Sequence, residues 1–196
     1  MPSPVTGLYT IGHSNHAWEE FLSLLQRHRI TLVCDARSQP YSRRYPQYRR
    51  ETLKKNLAGV HIQYRFMGDT LGARTADASC YRDGRVVYTR LAATAAFRNS
   101  LTQLSARARE ENTALLCAER DPITCHRMIL VTRHLRDGDF LIRHILADGT
   151  TESNAAAEQR LLQEYGAEDD LFTTAAARID AAYDWQSQRI AFERKT

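Results

Sequence analysis

Apolar and polar positions along this chain follow two different periods, and each change of period marks an element. Thr6 to Ile11 is a short β-branched and aromatic run, punctuated by Gly12-His13-Ser14-Asn15. Trp18, Phe21, Leu22 and Leu25 then fall at i, i+3, i+4 and i+7, which is one apolar face of a helix. Ser14 or Asn15 is its natural N-cap, Glu19 and Glu20 favour its first turns, and it should end near His28 and Arg29. Ile30 to Ala36 reads as a buried strand. Strand, helix and strand thus fit within about thirty residues, the size of a right-handed βαβ unit.

The alternation continues. Ser38 to Tyr48 is polar, basic and interrupted by Pro40 and Pro46, hence a loop, and Glu51 to Ala58 and His61 to Phe66 read as helix and strand. Gly68 to Gly84 has three glycines and no period, which predicts a long mobile or functional loop. Ala92 to Glu110 is helical, with Ala96, Phe97, Leu101, Leu104 and Ala108 on one face. Ala114 to Ala118 is a strand, Thr124 to Leu135 a helix and Phe140 to Leu146 a fifth strand. Two alanine-rich helices, Asn154 to Tyr165 and Leu171 to Arg189, follow, with Gly166 as the stop between them. The class predicted is α/β: a single Rossmann-like domain over residues 1–149, with an open, mainly parallel sheet of about five strands and helices on both faces. Residues 150–196 are predicted as a C-terminal helical extension packed on that core.

Composition narrows the class. At 196 residues, 43% hydrophobic and 26% charged, the chain has material for one sizeable core and is not broadly disordered. Its longest apolar runs, Thr113 to Ala118 and Met128 to Thr132, are far too short to span a membrane. Met1-Pro2-Ser3-Pro4 does not read as a secretory signal, and four cysteines do not make a disulfide scaffold, so a reduced cytoplasmic protein is expected. Charge is uneven. Ten basic residues between Arg27 and Arg65 face only Asp35 and Glu51, whereas eight acids between Glu152 and Asp184 face Arg160 and Arg178. A basic face favours an anionic partner such as a nucleotide or nucleic acid. The bland alternative is that the acidic tail neutralises it across a domain or dimer contact, and a homodimer is compatible with that pattern.

Ligands of open α/β sheets bind beyond the carboxyl ends of the strands. Collected there are Gly12, His13 and Ser14 after the first strand, where a glycine turn opening a helix could cradle an anion. Asp35, Arg37 and Ser38 follow the second strand, and Cys117 to Pro122 the fourth, after which a helix begins at Cys125-His126-Arg127. Asp35 and Glu119 are the candidate acid–base or stabilising carboxylates, and Arg37 and Arg127 the anion-binding cations. Mutual ion pairing is the alternative reason for charges at these places. Cys125, at a helix start beside His126, has two influences that lower a thiol pKa, against the alternative of a small buried cysteine packing a helix start. The phosphate-loop spacing of cysteine and arginine is absent, since position 131 is Val131. Cys117, Cys125 and His126 match no standard zinc spacing and no fourth ligand is evident, so neither metal nor cofactor is expected. The loop Tyr41 to Arg50 interleaves tyrosine with arginine. Arg43, Arg44, Tyr45, Tyr48, Arg49 and Arg50 thus form a candidate nucleic-acid contact, or else a solvated loop closing the sheet edge.

Taken in order, Thr10-Ile11-Gly12-His13-Ser14, Asp35-Ala36-Arg37-Ser38-Gln39-Pro40-Tyr41-Ser42, Leu116-Cys117-Ala118-Glu119 and Cys125-His126-Arg127 resemble the bacterial "domain of unknown function 488" family. Leu71-Gly72 and His144-Ile145 also fall where that pattern places them, and the resemblance runs from about Thr6 to Asp148. Ala36 stands where the family usually has valine. The resemblance implies a compact α/β domain with its signature residues at strand ends, and it supplies no reaction.

The leading functional expectation is an enzyme acting on a nucleotide, nucleoside or nucleic acid. With two carboxylates and no metal, the concrete reaction is hydrolysis or transfer at an N-glycosidic bond. One alternative is a non-enzymatic nucleic-acid-binding protein using loop 41–50. A second is a thiol, redox or metal-binding protein using Cys117, Cys125 and His126.

Overall fold

The computed structural model describes residues 6–166 and 173–194. In chain order its first elements are β1 (Gly7–Gly12), α1 (Trp18–Arg27), β2 (Leu32–Asp35), α2 (Arg50–Ala58), β3 (Gln63–Phe66) and α3 (Gly68–Leu71). Next come a small hairpin of β4 (Tyr81–Arg82) and β5 (Arg85–Val86), then α4 (Tyr88–Ala93), α5 (Ala95–Glu110), β6 (Thr113–Cys117) and β7 (Leu141–Ile145). β8 (Thr151–Ser153), α6 (Asn154–Tyr165) and α7 (Ala175–Ile190) complete the chain.

Six strands form one sheet in the order β3-β2-β6-β1-β7-β8. All neighbours are parallel except β7 and β8, which pair antiparallel. β6 enters between β1 and β2, so the first βαβ unit straddles it, and Gly12 lies in register with Cys117 while Asp35 lies in register with Leu116. Because side chains alternate along each strand, two cores result. Leu8, Leu32, Cys34, Leu115 and Ile142 pack with α5 and the C-terminal helices, whereas Ile11, Val33, Ala114, Leu116 and Ile145 pack with α1 and α2.

The expected sheet of about five strands, open and mainly parallel, is present with six, the last because three residues before α6 pair with β7. Four other expectations need correction. Neither Ser14 nor Asn15 caps α1. Its N-cap is Ala17, without a side-chain bond, because Ser14 turns at φ +45° and bonds to Asn15 instead. The helix expected over 92–110 is broken at Thr94, whose extended backbone starts α5 while its hydroxyl accepts from the Phe97 amide. Segment 68–84 contains α3, a turn capped by Asp77 and most of the hairpin. Finally, residues 124–135 form no regular α-helix. A 3₁₀ turn at Pro122–Thr124 leads into a π-turn at Arg127–Val131 and a further 3₁₀ turn at Thr132–His134. Every residue of the π-turn is buried, so no polar face sets a helical period there. α7 begins at Ala175, and Leu171 and Phe172, where that helix was expected to start, lie outside the described residues, as do Met1 to Pro4.

A buried polar chain crosses the middle of the fold. Arg127 Nε donates to Thr10 Oγ1 (3.2 Å), Thr10 pairs with His144 Nδ1 (2.8 Å), and His144 Nε2 meets Asn154 Oδ1 (3.2 Å). Since Oδ1 only accepts, Nε2 carries the proton and Nδ1 accepts from Thr10, which requires a neutral imidazole. Burial and the nearby Arg127 charge lower the His144 pKa from 6.5 to about 3. The unfolded chain therefore takes up this proton at higher pH than the folded one. His144 contributes stability that is complete above about pH 6.5 and is lost as pH falls toward 3. Between pH 7 and pH 5 the loss from this residue should be about 2 kcal/mol. Urea unfolding at the two pH values checks it: His144→Gln should be less stable at pH 7 and show a correspondingly smaller further loss at pH 5.

Candidate functional site

Adjacent carboxyl ends of β1, β6 and β2 each release polar residues, and a cavity of about 450 Å³ opens where they meet. His13, Cys117 and His126 line it from the buried side, while Glu119, Tyr41 and Arg74 line it from the exposed side. Arg37 and Ser38 contribute from the end of β2, and Ile190 and Phe192 reach it from the end of α7.

Local chemistry brings the segment after β6 back on itself. Cys117 ends β6, and Glu119, two residues on, sends its carboxylate back to the sulfur. Asp121 then caps the turn beginning at Pro122 by accepting from the Ile123 amide (3.1 Å), and Arg160 holds both oxygens of the same carboxylate (2.9 and 3.0 Å). That turn returns the chain as Cys125-His126. The result is a cluster in which one donor atom each from Cys117, Glu119, Cys125 and His126 lie within 4.8 Å of one another. Both sulfurs approach Glu119 Oε2, at 2.9 Å from Cys117 and 3.0 Å from Cys125. His126 Nδ1 lies 3.4 Å from Cys117 Sγ, and its Nε2 lies 3.1 Å from the Ala36 carbonyl. Burial raises the pKa of Glu119, but the bonds from both thiols outweigh it and hold the group at about 2. Burial also pushes Cys117 up. For Cys125 the bond to Cys117 and the charges of Arg127 and His126 outweigh burial, so the proton is shared unequally within the pair.

Arg127 is fully buried and has no carboxylate partner among the described residues. Its guanidinium donates to the Glu119 carbonyl, to the Arg120 carbonyl (2.9 Å) and to Thr10. It shapes the strand end instead of facing the cleft. Gly12 serves the same purpose, since a Cβ there would lie 1.7 Å from the Glu119 carbonyl oxygen. The anion cradle expected at Gly12-His13-Ser14 does not form as read. The His13 and Ser14 amides are bonded to the Cys117 and Ala118 carbonyls at 2.9 Å each, and α1 starts only at Trp18. The His13 ring stacks on Tyr48 at 4.2 Å, and burial together with Arg37 lowers its pKa to about 4.

Asp35 is likewise not placed for acid–base work. It is fully buried, does not line the cavity, and accepts from Arg37 Nε (2.9 Å), Arg37 Nη2 (2.7 Å) and the Tyr64 hydroxyl (2.7 Å). Ion pairing, the bland alternative, is what the fold makes of Asp35 and Arg37, although Arg37 still borders the cavity. Ser38 accepts from the Arg74 amide (2.9 Å) and pins the following loop. In the basic loop, Tyr48 is fully buried and its hydroxyl donates to the His16 carbonyl, a placement at odds with stacking on a base. Arg49 bonds to the Ser42 carbonyl and lies over Tyr41, and Arg50 lies over Phe66. Arg43 and Arg44 stay exposed without a carboxylate partner among the described residues, Arg44 resting 5.4 Å from the half-buried Tyr45 ring. Tyr41 is 64% exposed and lines the cavity. Neither it nor Arg74 is among the individual site residues expected from the sequence, although Tyr41 opens the basic loop 41–50. Arg74 had a weak signal, as a cation in the glycine-rich segment.

Two substitutions and a control separate these structural roles from chemistry. Asp35→Asn should destabilise the fold by about 3 kcal/mol or more, because it leaves the Arg37 guanidinium buried and unpaired. Gly12→Ala should cost a similar amount through overpacking, or prevent folding, whereas Gly59→Ala should be close to neutral, its nearest neighbour being 3.4 Å from the new Cβ. Urea midpoints for the three variants decide both points.

A family model described as "Domain of unknown function DUF488" matches residues 17–134. That span includes Asp35 to Ser42 and Cys117 to Arg127, and leaves Thr10 to Ser14 and His144-Ile145 outside it. No curated protein and no solved structure matches the chain.

Proposed function

This chain belongs to the DUF488 family, and we propose that it is an enzyme acting on a nucleotide, nucleoside or nucleic-acid substrate in the strand-end cleft. The observation that carries this reading is the meeting, in one cavity, of reactive groups with a cation that lacks an acidic partner, with two more such cations next along the chain. Glu119, Cys117 and His126 face it, Arg74 borders it without a carboxylate partner among the described residues, and Arg43 and Arg44 directly follow its lining residues Tyr41 and Ser42. Exposed arginines with an exposed tyrosine are suited to a phosphate carrying a base: guanidinium forks the phosphate and the ring stacks on the base. Arg37 adds positive charge at the inner end, oriented by Asp35.

Glu119 is the carboxylate available to the cleft, and it takes the role of base or of electrostatic partner to a cationic reacting centre. Since Asp35 is engaged with Arg37 and Tyr64, the paired-carboxylate arrangement of a glycosidase has no support, and the reaction is drawn only as hydrolysis or transfer. No helix among the described residues is long and apolar enough to cross a membrane. On the separate ground that its four cysteines are free thiols, we propose a reducing, cytoplasmic setting for the activity.

A panel of nucleotides, nucleosides and oligonucleotides tests the proposal. Turnover of one substrate should fall about 100-fold or more in Glu119→Gln with binding nearly unchanged. Arg74→Ala should raise KM by about tenfold. Arg43→Ala and Arg44→Ala should each lower the salt slope of oligonucleotide binding by about one. Oligonucleotide binding that persists in Glu119→Gln with no turnover of any panel member would replace the enzyme with a binding protein.

A further inference from the structure

We infer that Cys117, Glu119, Cys125 and His126 form a binding site for one zinc-class divalent cation, with Sγ, a carboxylate oxygen, Sγ and Nδ1 as the donors. It shares the cleft with the enzymatic reading but stands on the donor geometry and needs no substrate. A tetrahedral zinc ion with sulfur ligands at about 2.3 Å and nitrogen or oxygen ligands at about 2.0–2.2 Å keeps its donor atoms roughly 3.3–3.8 Å apart. The four donors here already lie within 4.8 Å of one another, so little movement separates them from that arrangement. Their present contacts, with both sulfurs on one carboxylate oxygen and Nδ1 at 3.4 Å from Cys117 Sγ, are what such a set makes when thiol protons stand where the ion would.

Surrounding groups complete the case. A metal-ligating histidine characteristically donates its other ring N–H to a backbone carbonyl or carboxylate, which fixes the tautomer and the ring orientation. His126 has that partner in the Ala36 carbonyl at Nε2, and this leaves the Nδ1 lone pair toward the sulfurs. The Arg127 amide lies 3.4 Å from Cys125 Sγ, an N–H to sulfur contact that steadies a thiolate. Charge agrees as well. Two thiolates and one carboxylate around a divalent ion leave a net charge of about −1, and the buried Arg127 guanidinium, which has no carboxylate partner among the described residues, supplies the compensating positive charge beside the Glu119 carbonyl. Cys117, Cys125 and His126 are buried whereas Glu119 is exposed, so the ion would be reached from the cleft on its carboxylate side. There it would act as a Lewis acid on whatever the cleft binds.

The test uses the whole protein, reduced and freshly purified. Elemental analysis should find about one zinc or iron per chain. After chelation, titration with Co²⁺ alone should give a thiolate-to-cobalt charge-transfer band and the strong ligand-field bands of tetrahedral cobalt. Cys117→Ser and Cys125→Ser should lose the charge-transfer intensity in part and the double variant entirely, and Glu119→Gln should weaken Co²⁺ binding by tenfold or more, with circular dichroism reporting the fold of each. A wild-type protein that is metal-free as purified and gives no such bands overturns the inference without recourse to any variant. So do bands that survive in the folded double cysteine variant. A resident Cys117–Cys125 disulfide, seen as a loss of two hydrogens in intact mass, overturns it in favour of redox chemistry. Metal binding without turnover of any substrate leaves the inference standing and ends the enzymatic reading, whereas turnover by a protein that gives no Co²⁺ bands ends the inference and leaves the enzymatic reading standing.

Discussion

A guanidinium excluded from water needs an acceptor at each of its nitrogens, and Arg127 finds them in two main-chain carbonyls and one threonine hydroxyl. The rest of the molecule follows from this arrangement. The carbonyls belong to Glu119 and Arg120, so the strand-end segment is drawn over Gly12, the residue whose lack of a side chain lets it approach. Thr10 passes the polarity on to His144 and Asn154, which joins β1, β7 and α6 through one directional chain. Thr132 adds a second bond to Asn154 Oδ1, so the segment after Val131 is tied to the same network (3.1 Å). Positioning of Cys125 and His126 is therefore shared by the centre of the sheet and by the C-terminal helices.

Charges on the surface divide accordingly. Asp180 and Asp184 bind Arg133 and Arg136, and Glu152 joins Asp121 on Arg160. None of these acids pairs with the basic stretch between Arg27 and Arg65, and Glu168, Asp169 and Asp170 lie outside the described residues. Local arginines thus hold Glu152, Asp180 and Asp184, three of the acids that could have neutralised the basic face. Arg43, Arg44 and Arg74 keep no carboxylate partner among the described residues.

Most of the framework was legible because burial writes a period into a chain. The β-branched and aromatic run of β1 and the i, i+3, i+4 spacing of α1 locate both elements, although α1 starts only at Trp18, and the alanine-rich stretch Asn154–Tyr165 is α6. Two kinds of feature escaped. Where every side chain is buried, as in Arg127–Val131, no period distinguishes α from π geometry. Where three residues pair only through backbone, as in β8, the side chains carry no message at all. The site was half legible for a related reason. Proximity to strand ends groups Cys117, Glu119, Cys125, His126 and Arg127, which the fold does bring together, but their mutual contacts depend on a carboxylate folding back over two residues. Asp35 looked equivalent to Glu119 in the sequence because the hydroxyl that claims it, from Tyr64, comes from a different strand.

The π-turn has a further meaning. It holds one more residue per turn than the α-helix that would otherwise cover this stretch, so it amounts to a helix with an insertion tolerated in its middle. Inserting a further residue between Met128 and Val131, beyond the one this wide turn already absorbs, would leave the segment no slack to take it up. Everything beyond it would then rotate by about 100° relative to the reactive cluster. Thr132 would swing away from Asn154, and His134 from the Phe97 ring it meets edge-on. Length variation among descendants of this chain should accordingly collect in the outer loops and stop at this turn, whose awkward geometry acts as a ratchet tooth between the cleft and the C-terminal helices.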